Sequence, residues 1–248
     1  DNGVLQSMYS GNCSGAVVLD STVTQIGYAT GIYSGVTSIQ IPSTTTVIGN
    51  QPFISGANLA AINVDEANPN YKSVDGILYN KTGTVLKQYP QAKTGSSFTI
   101  PVGVTEIGYY AFSCATYLNT VTIPDAVITA NNIDRVNGCS GNGISQFIIG
   151  SGNANYTSID GVIFNKAATT ILAYPNNKPG SSYVMPSTVT AIHSQALAYS
   201  KDRQLKSITL SPNLISIGTY SFSNLYLPTL NIPASVTTIA DLGLWTVN

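Results

Sequence analysis

Apolar and polar residues alternate along this chain in short stretches, and proline closes many of them. The clearest case runs from Ile100 to Pro124, IPVGVTEIGYYAFSCATYLNTVTIP, which opens and closes on Ile-Pro. Between the prolines stand an alternating run (Val102, Val104, Ile107), Gly108, the pair Ala111-Phe112, Cys114 and a second run (Leu118, Val121, Ile123). A period of two predicts short strands with one buried face. Proline ends each strand because it has no N–H to give to a ladder. The phrase Val-x-x-Ile-Gly predicts a second strand on the opposite side of a coil, with Gly108 giving room to turn. Ala111-Phe112 is expected on a short helical or 3₁₀ turn with Phe112 inward.

A segment that restarts where it stops marks a stacked-repeat architecture. A weak first copy (Val17 to Leu19, Val23, Ile26-Gly27) lies in an irregular N-terminal cap over 1–30 and lacks the Ala-Phe pair. Ile39 to Pro42 opens the next copy, with Val47, Ile48-Gly49, Pro52-Phe53, Leu59, Ile62 and Val64 in the same slots. After Pro124 comes a loosened copy: Val127, Ile133, Val136, Cys139, Ile144, Phe147 and Ile149. Further copies start at Pro186, Pro212 and Pro233, the last a partial one over 233–248. Two longer units, 68–101 and 153–186, align without a gap at an offset of 85, and 16 of their 34 positions are identical. That agreement is duplication.

Within the first long unit, Ser73–Tyr79 and Thr84–Pro90 read as two strands joined by a turn at Asn80-Lys81-Thr82-Gly83. Its copy uses Asn165-Lys166-Ala167-Ala168. Each is expected as a hairpin grafted on the coil, both projecting from the same side. Residues 1–248 thus read as a single, mostly β repeat solenoid with two inserted β-hairpins. No copy buries its apolar face alone; stacked, each buried rung contributes about 1.5–3 kcal/mol.

Composition narrows the function. Apolar residues make up 43% of the chain, enough for a sizeable core, and only 8% are charged against a typical ~25%. The net charge of −1 gives no positive field, which excludes nucleic acid and anionic membranes as expected partners. No run approaches the roughly 18 apolar residues of a membrane span. No signal peptide stands at Asp1, as expected of a mature or trimmed product or of a cytosolic chain.

Candidate chemistry is sparse. Cys13, Cys114 and Cys139 precede apolar phrases and read as small hydrophobes in the ladder. Cys114 and Cys139, one copy apart, form the only pair placed to bridge, and the sequence leaves the redox compartment open. Gly11-Asn12-Cys13-Ser14-Gly15 has nucleophile-elbow spacing, but that elbow needs a strand-to-helix turn in an α/β sheet, which nothing here predicts. His193 is the sole histidine and reads as structural, so a histidine-rich metal site is excluded by count. Asp75 with Asn80, and Asp160 with Asn165, recur in both long units; they supply too few carboxylates for calcium and read as turn formers. Asn12, Asn80 and Asn155 open glycosylation sequons, which matter only in a eukaryotic source. No catalytic residues, cofactor or metal are expected, because nothing brings an acid, a base and a nucleophile together.

Taking alternate strand positions, the outward row is Val18, Gln40, Asn63, Thr99, Thr122, Ile148, Val184, Thr209 and Asn231. It holds no charge and no aromatic, which suits a neutral protein surface or an extended peptide rather than a polyanion. Gln40, Asn63, Thr99, Thr122, Ile148, Thr209 and Asn231 are therefore the expected partner-binding face.

The repeat resembles the BspA-like leucine-rich repeats of bacterial and protist surface proteins, whose pattern is roughly I-x-I-P-x-x-V-x-x-I-G-x-x-A-F-x-x-C-x-x-L. Ile100 to Leu118 matches it at nearly every slot, and the resemblance extends from about Val17 to the C-terminus. Departures are the first copy, the loosened copy after Pro124, and His193 in the glycine slot. The resemblance implies a right-handed leucine-rich-repeat coil with few short helical turns. It also implies an extracellular or cell-surface adhesion or binding module that meets a protein or peptide partner, such as a host or matrix surface protein. A structural stalk that presents another domain is the alternative. The resemblance carries over no catalytic residue.

Overall fold

The computed structural model describes residues 3–7, 13–32, 35–54, 56–128, 143–198 and 205–244. Among them the chain winds as a β-solenoid of short strands, and no helix occurs. Ala111-Phe112 lies on plain turns, with both side chains buried, in place of the expected helical turn. Leu86 pairs with Ile107 and Thr122 with Ile148, so one coil takes between 21 and 26 residues.

The coils build two walls. The Ile-x-Ile phrases form the first. It consists of β2 (Gly15–Val18), β4 (Val36–Ile41) and β7 (Ala61–Val64), then β11 (Ser97–Thr99), β13 (Thr120–Ile123) and β14 (Gln146–Ile149), then β18 (Ser182–Val184) and β20 (Ser207–Thr209). All these pairs are parallel. The opposite wall carries the Val-x-x-Ile-Gly phrases. Its strands include β3 (Gln25–Gly31), β5 (Val47–Ile48), β12 (Glu106–Ile107), β19 (Ala191–Ile192), β21 (Ser216–Ile217) and β22 (Thr238–Ile239). The irregular N-terminal cap is more regular than expected: β1 (Val4–Ser7) pairs with β3 and adds a rung through Val4 and Leu5.

The glycine slot has a different cause from the one expected. A Cβ at Gly108 would lie 2.9 Å from the Leu86 carbonyl oxygen, and at Gly218 2.6 Å from the Ser194 nitrogen. The slot therefore admits the backbone of the neighbouring coil. The turning is done two residues later, where Gln51, Tyr110, Gln195, Tyr220 and Leu242 all take left-handed φ between 48° and 60°.

The two long units depart most from expectation. Ser73–Tyr79 is not one strand. It divides at Asp75-Gly76, where both residues have positive φ, into β8 (Tyr71–Val74) and β9 (Ile77–Asn80), which pair antiparallel. The turn at Asn80–Gly83 then leads into β10 (Val85–Gln88), antiparallel to β9 and parallel to β12. The second unit repeats this with β15 (Tyr156–Ile159), β16 (Val162–Asn165) and β17 (Thr170–Ala173). Neither unit is a hairpin grafted on the coil. Each is a meander built into the wall.

Its middle strand is buried on both faces. Leu78 packs into the hydrophobic cluster of the N-terminal coils, while Ile77 and Tyr79 pack into the central cluster. In the copy, Ile163 faces the central cluster, and Val162 and Phe164 face the C-terminal one. The meanders are thus cross-walls that divide the solenoid core into three compartments. Each also closes the coil before it: the Ile62 N–H donates to the Gly76 carbonyl at 2.8 Å, and the Phe147 N–H to that of Gly161 at 2.9 Å.

Candidate functional site

The outward row lies in register along the first wall. Val18 stands beside Gln40 and Gln40 beside Asn63. Thr99 stands beside Thr122 and Thr122 beside Ile148, and Val184 beside Thr209. All eight are at least partly exposed. Asn231 is exposed but lies in no strand and has no ladder partner. The structure therefore joins the row in three sections, with a cross-wall interrupting it after Asn63 and again after Ile148.

Each interruption is built from the same parts. Asn68 is fully buried and uses its whole amide. Its Nδ2 donates to the Pro42 and Thr45 carbonyls at 2.9 and 2.8 Å, and its Oδ1 accepts from the Asn70 and Tyr71 N–H groups. Asn153 repeats all four bonds, to the carbonyls of Pro124 and Val127 and from the N–H groups of Asn155 and Tyr156. At the tip of the hairpin the Lys93 ammonium meets the Asp75 carboxylate at 2.9 Å and its carbonyl at 2.7 Å. Lys178 grips Asp160 in the same way.

The side chains around the two interruptions differ. Asn63, Val74, Thr94 and Thr99 in the first correspond, at the offset of 85, to Ile148, Ile159, Pro179 and Val184 in the second. The second is the more apolar, with Ile148, Ile159 and Val184 exposed. A recess opens there, lined by Ile159, Asp160, Lys178, Pro179, Ser182, Tyr183, Val184 and Pro186. A second recess lies against the first meander, where the Lys87 ammonium sits 5.7 Å from the centre of the Tyr71 ring. Burial lowers the pKa of Lys87, and Glu106 opposes that shift.

The remaining candidates take structural places. Cys13 is a free, exposed thiol just before β2, not on a strand-to-helix turn. Cys114 is disulfide-bonded and partly exposed, which corrects its reading as a buried thiol in the ladder. Cys139, Ile133 and Val136 lie outside the described residues. His193 is exposed; its N–H donates to the Ile171 carbonyl and its carbonyl accepts from Ser221 Oγ. Asn80 Oδ1 accepts from the Val85 N–H and Nδ2 donates to Thr84 Oγ1; Asn165 does the same with Thr170 and Thr169. These asparagines form turns. Among the described residues no three of His, Cys, Asp and Glu come together as a metal would need, and no helix is long and apolar enough to cross a membrane.

Parallel walls of short strands, a backbone-admitting glycine in the coils of Gly49, Gly108 and Gly218 and a ladder of Ile, Leu and Val define a leucine-rich-repeat solenoid. The family model of the BspA type leucine rich repeat region matches in 6 copies over residues 6–80, 89–177 and 172–242, and the chain belongs to that family. Among solved structures it is similar to a leucine-rich repeat protein from Eubacterium ventriosum, with 22% identity and a TM-score of 0.50 over 92% of this chain and 75% of that one. It is also similar to a leucine rich cell surface protein from Faecalibacterium prausnitzii, with 22% identity and a TM-score of 0.50 over 90% of this chain and 59% of that one. No curated protein matches the chain.

Proposed function

We infer that this chain is a non-catalytic binding module, displayed outside the cytoplasm, that meets a protein partner along its first wall. The observation that carries the reading is the row of neutral, at least partly exposed side chains that runs in register within each of three sections, Val18 to Asn63, Thr99 to Ile148 and Val184 to Thr209. An uncharged strand surface in three sections offers hydrogen bonds and modest apolar area without a field that would select a polyanion. The disulfide at Cys114 supports an oxidising compartment. The family is typically non-enzymatic, and the similar F. prausnitzii chain is a cell surface protein.

The test is binding of the full chain to immobilised extracellular-matrix and host-surface proteins, with and without Thr99→Lys and Thr122→Lys. A lysine pair in the centre of the row is expected to weaken partner binding about a hundredfold, through desolvated and unpaired charge. If no partner is retained and both substitutions are silent, the chain is a stalk whose coils hold another domain at a distance.

A further inference from the structure

The second cross-wall leaves a strand edge uncovered. β18 pairs only with β20 among the described residues. The Ser207 N–H donates to the Ser181 carbonyl, and the Met185 N–H donates to the Thr209 carbonyl. Backbone groups alternate sides along a strand, so residues 181, 183 and 185 face β20, and Ser182 and Val184 point their N–H and C=O groups the other way. No described backbone or side-chain group bonds to those groups. The recess between them and the cross-wall tip is lined by Ile159, Asp160, Lys178 and Pro179.

We propose that this recess binds an extended, uncharged peptide segment as an added strand on β18, with small apolar side chains at alternate positions. This deepens the reading of the first wall as a partner-binding surface and rests on it. Two donors and two acceptors spaced along one edge match another main chain, the pattern used when a peptide joins a sheet. Backbone hydrogen bonds alone net little in water, because each replaces a bond to solvent. Apolar burial must add to them, and here Ile159 is 40% exposed, Val184 69% and nearby Ile148 45%.

The first interruption provides the internal contrast. The Thr120 N–H bonds the Ser96 carbonyl and the Ile100 N–H bonds the Thr122 carbonyl, so Ser97 and Thr99 also face outward from β11. Its edge is flanked by Asn63, Val74, Thr94 and Thr99, with Val74 the one exposed apolar side chain where the second edge has Ile148, Ile159 and Val184, so an incoming strand gains less burial. Charge selects the peptide further. Lys178 and Asp160 neutralise each other at the mouth of the recess, which leaves no net field to attract a charged segment. Length is limited too: β18 is only three residues long and Pro186 follows it closely, so pairing cannot propagate along the edge.

The experiment titrates the full chain calorimetrically with a capped heptapeptide of alternating threonine and valine. A second peptide carries the same sequence with N-methyl groups on alternate amides. The plain peptide is expected to bind and the N-methylated one to bind at least about tenfold more weakly. Amide exchange should slow at Ser182 and Val184 and stay unchanged at Tyr183. Val184→Lys and Ile159→Lys should each weaken binding about tenfold or more, while Val102→Lys, at an 82% exposed site elsewhere, should not. Equal binding of the two peptides, or unchanged exchange at Ser182 and Val184, overturns the proposal. So does a dimer in sedimentation that Val184→Lys abolishes, because the edge then belongs to a second copy. The two readings fail separately. If Thr122→Lys abolishes partner binding while the peptide does not bind, the edge falls and the surface stands. If the peptide binds while the row substitutions are silent, the edge stands and the wider surface falls.

Discussion

The two cross-walls derive from one duplicated segment, and what each retains separates backbone duties from packing duties. Asn68 and Asn153, Asn80 and Asn165, Asp75-Gly76 and Asp160-Gly161, and Lys93 and Lys178 are identical pairs. Each holds a buried or turning piece of main chain through directed hydrogen bonds. The core positions drift instead: Leu78 against Ile163, Tyr79 against Phe164, Leu86 against Ile171, Phe98 against Tyr183. Apolar side chains of similar volume exchange at small cost, whereas a buried donor or acceptor left without its partner costs its full desolvation. The aromatic contact shows both rules at once. Tyr89 meets Phe98 at 5.2 Å and Tyr174 meets Tyr183 at 5.1 Å, with one ring type retained and the other exchanged.

The retained asparagines give the largest expected effect. Asn68→Ala strands the buried Thr45 carbonyl and takes the acceptor from the part-buried Asn70 and Tyr71 N–H groups, and should lower unfolding stability by about 2–4 kcal/mol. Asn153→Ala should cost a similar amount. The pair tests whether the cross-walls partition the core: if they do, the two losses add within about 0.5 kcal/mol. Urea titration of both single variants and the double one decides it. A strongly non-additive double variant means that the two cross-walls are energetically coupled through the central compartment.

The drifting position Tyr79 against Phe164 is sharpened by alkali. Burial pushes the Tyr79 hydroxyl up to about 12, with Asp75 adding to the shift, and Tyr174 likewise up to about 12 with help from Asp160. Tyr183 is pushed higher still. A raised native pKa means that the folded state holds its proton longer than the unfolded chain. The stability this contributes is complete below about pH 10, the unfolded value. It is then lost as pH climbs toward 12. Thermal melts from pH 9 to 12 should therefore steepen above pH 10, and Tyr79→Phe, with phenylalanine already standing at 164, should reduce the slope while leaving neutral stability nearly unchanged. An unchanged slope in the variant removes Tyr79 from the account.

Much of this was legible in the sequence. Proline-terminated alternation gave the first wall and its register, because a period of two fixes which side chains face inward. The cross-walls depart from the expected strands for a reason visible in their residues. Ser73–Tyr79 looks like one strand, yet Asp75-Gly76 is a strong hairpin signal and Ile77-Leu78-Tyr79 is an unbroken apolar run, as expected of a strand buried on both faces. The left-handed turns at Gln51, Tyr110, Gln195, Tyr220 and Leu242 carried no such signal, since long side chains do not mark that conformation. Spacing of one copy marked Cys114 as a member of the only pair placed to bridge, and Cys114 is disulfide-bonded; what spacing alone does not give is the distance in space that decides such a bond. The free edge of β18 required the topology: Ser182 and Val184 read the same whether or not a strand lies beside them.

The meander turns offer a direct exchange. Gly83 has φ +80°, and Ala168, at the same place in the copy, has φ +54°. A left-handed alanine is strained where glycine is not, so Ala168→Gly should raise stability by about 0.5–1 kcal/mol after its added unfolded-state entropy is counted. Gly83→Ala should lower it by a similar amount. A Cβ there would lie 2.6 Å from Lys72 Nζ, the flexible end of a side chain that can withdraw, while the copy has Thr157 in place of Lys72. If both exchanges are silent in urea titrations, the turn tolerates left-handed alanine and the retained Asn80 and Asn165 alone set its geometry.

The smallest effect belongs to the ion pairs at the hairpin tips. Asp75 and Asp160 leave most of their side chains in water, 80% and 77% exposed, while Lys93 and Lys178 are largely covered. Exposed pairs contribute about 0–1 kcal/mol, and salt screens them. Asp75→Asn and Asp160→Asn keep a residue that accepts left-handed φ, and leave intact the bonds from each lysine to the backbone carbonyl at 2.7 and 2.6 Å. Each should therefore cost less than about 1 kcal/mol, a loss that vanishes in 1 M salt. Lys93→Met and Lys178→Met should cost more than the aspartate changes, because they strip the carbonyl bond as well. The reverse order would mean that the carboxylates hold the tips and the backbone bonds are incidental. It would also bear on the second cross-wall in particular, since Asp160 and Lys178 line the recess beside β18 and loosening Asp160 would open it.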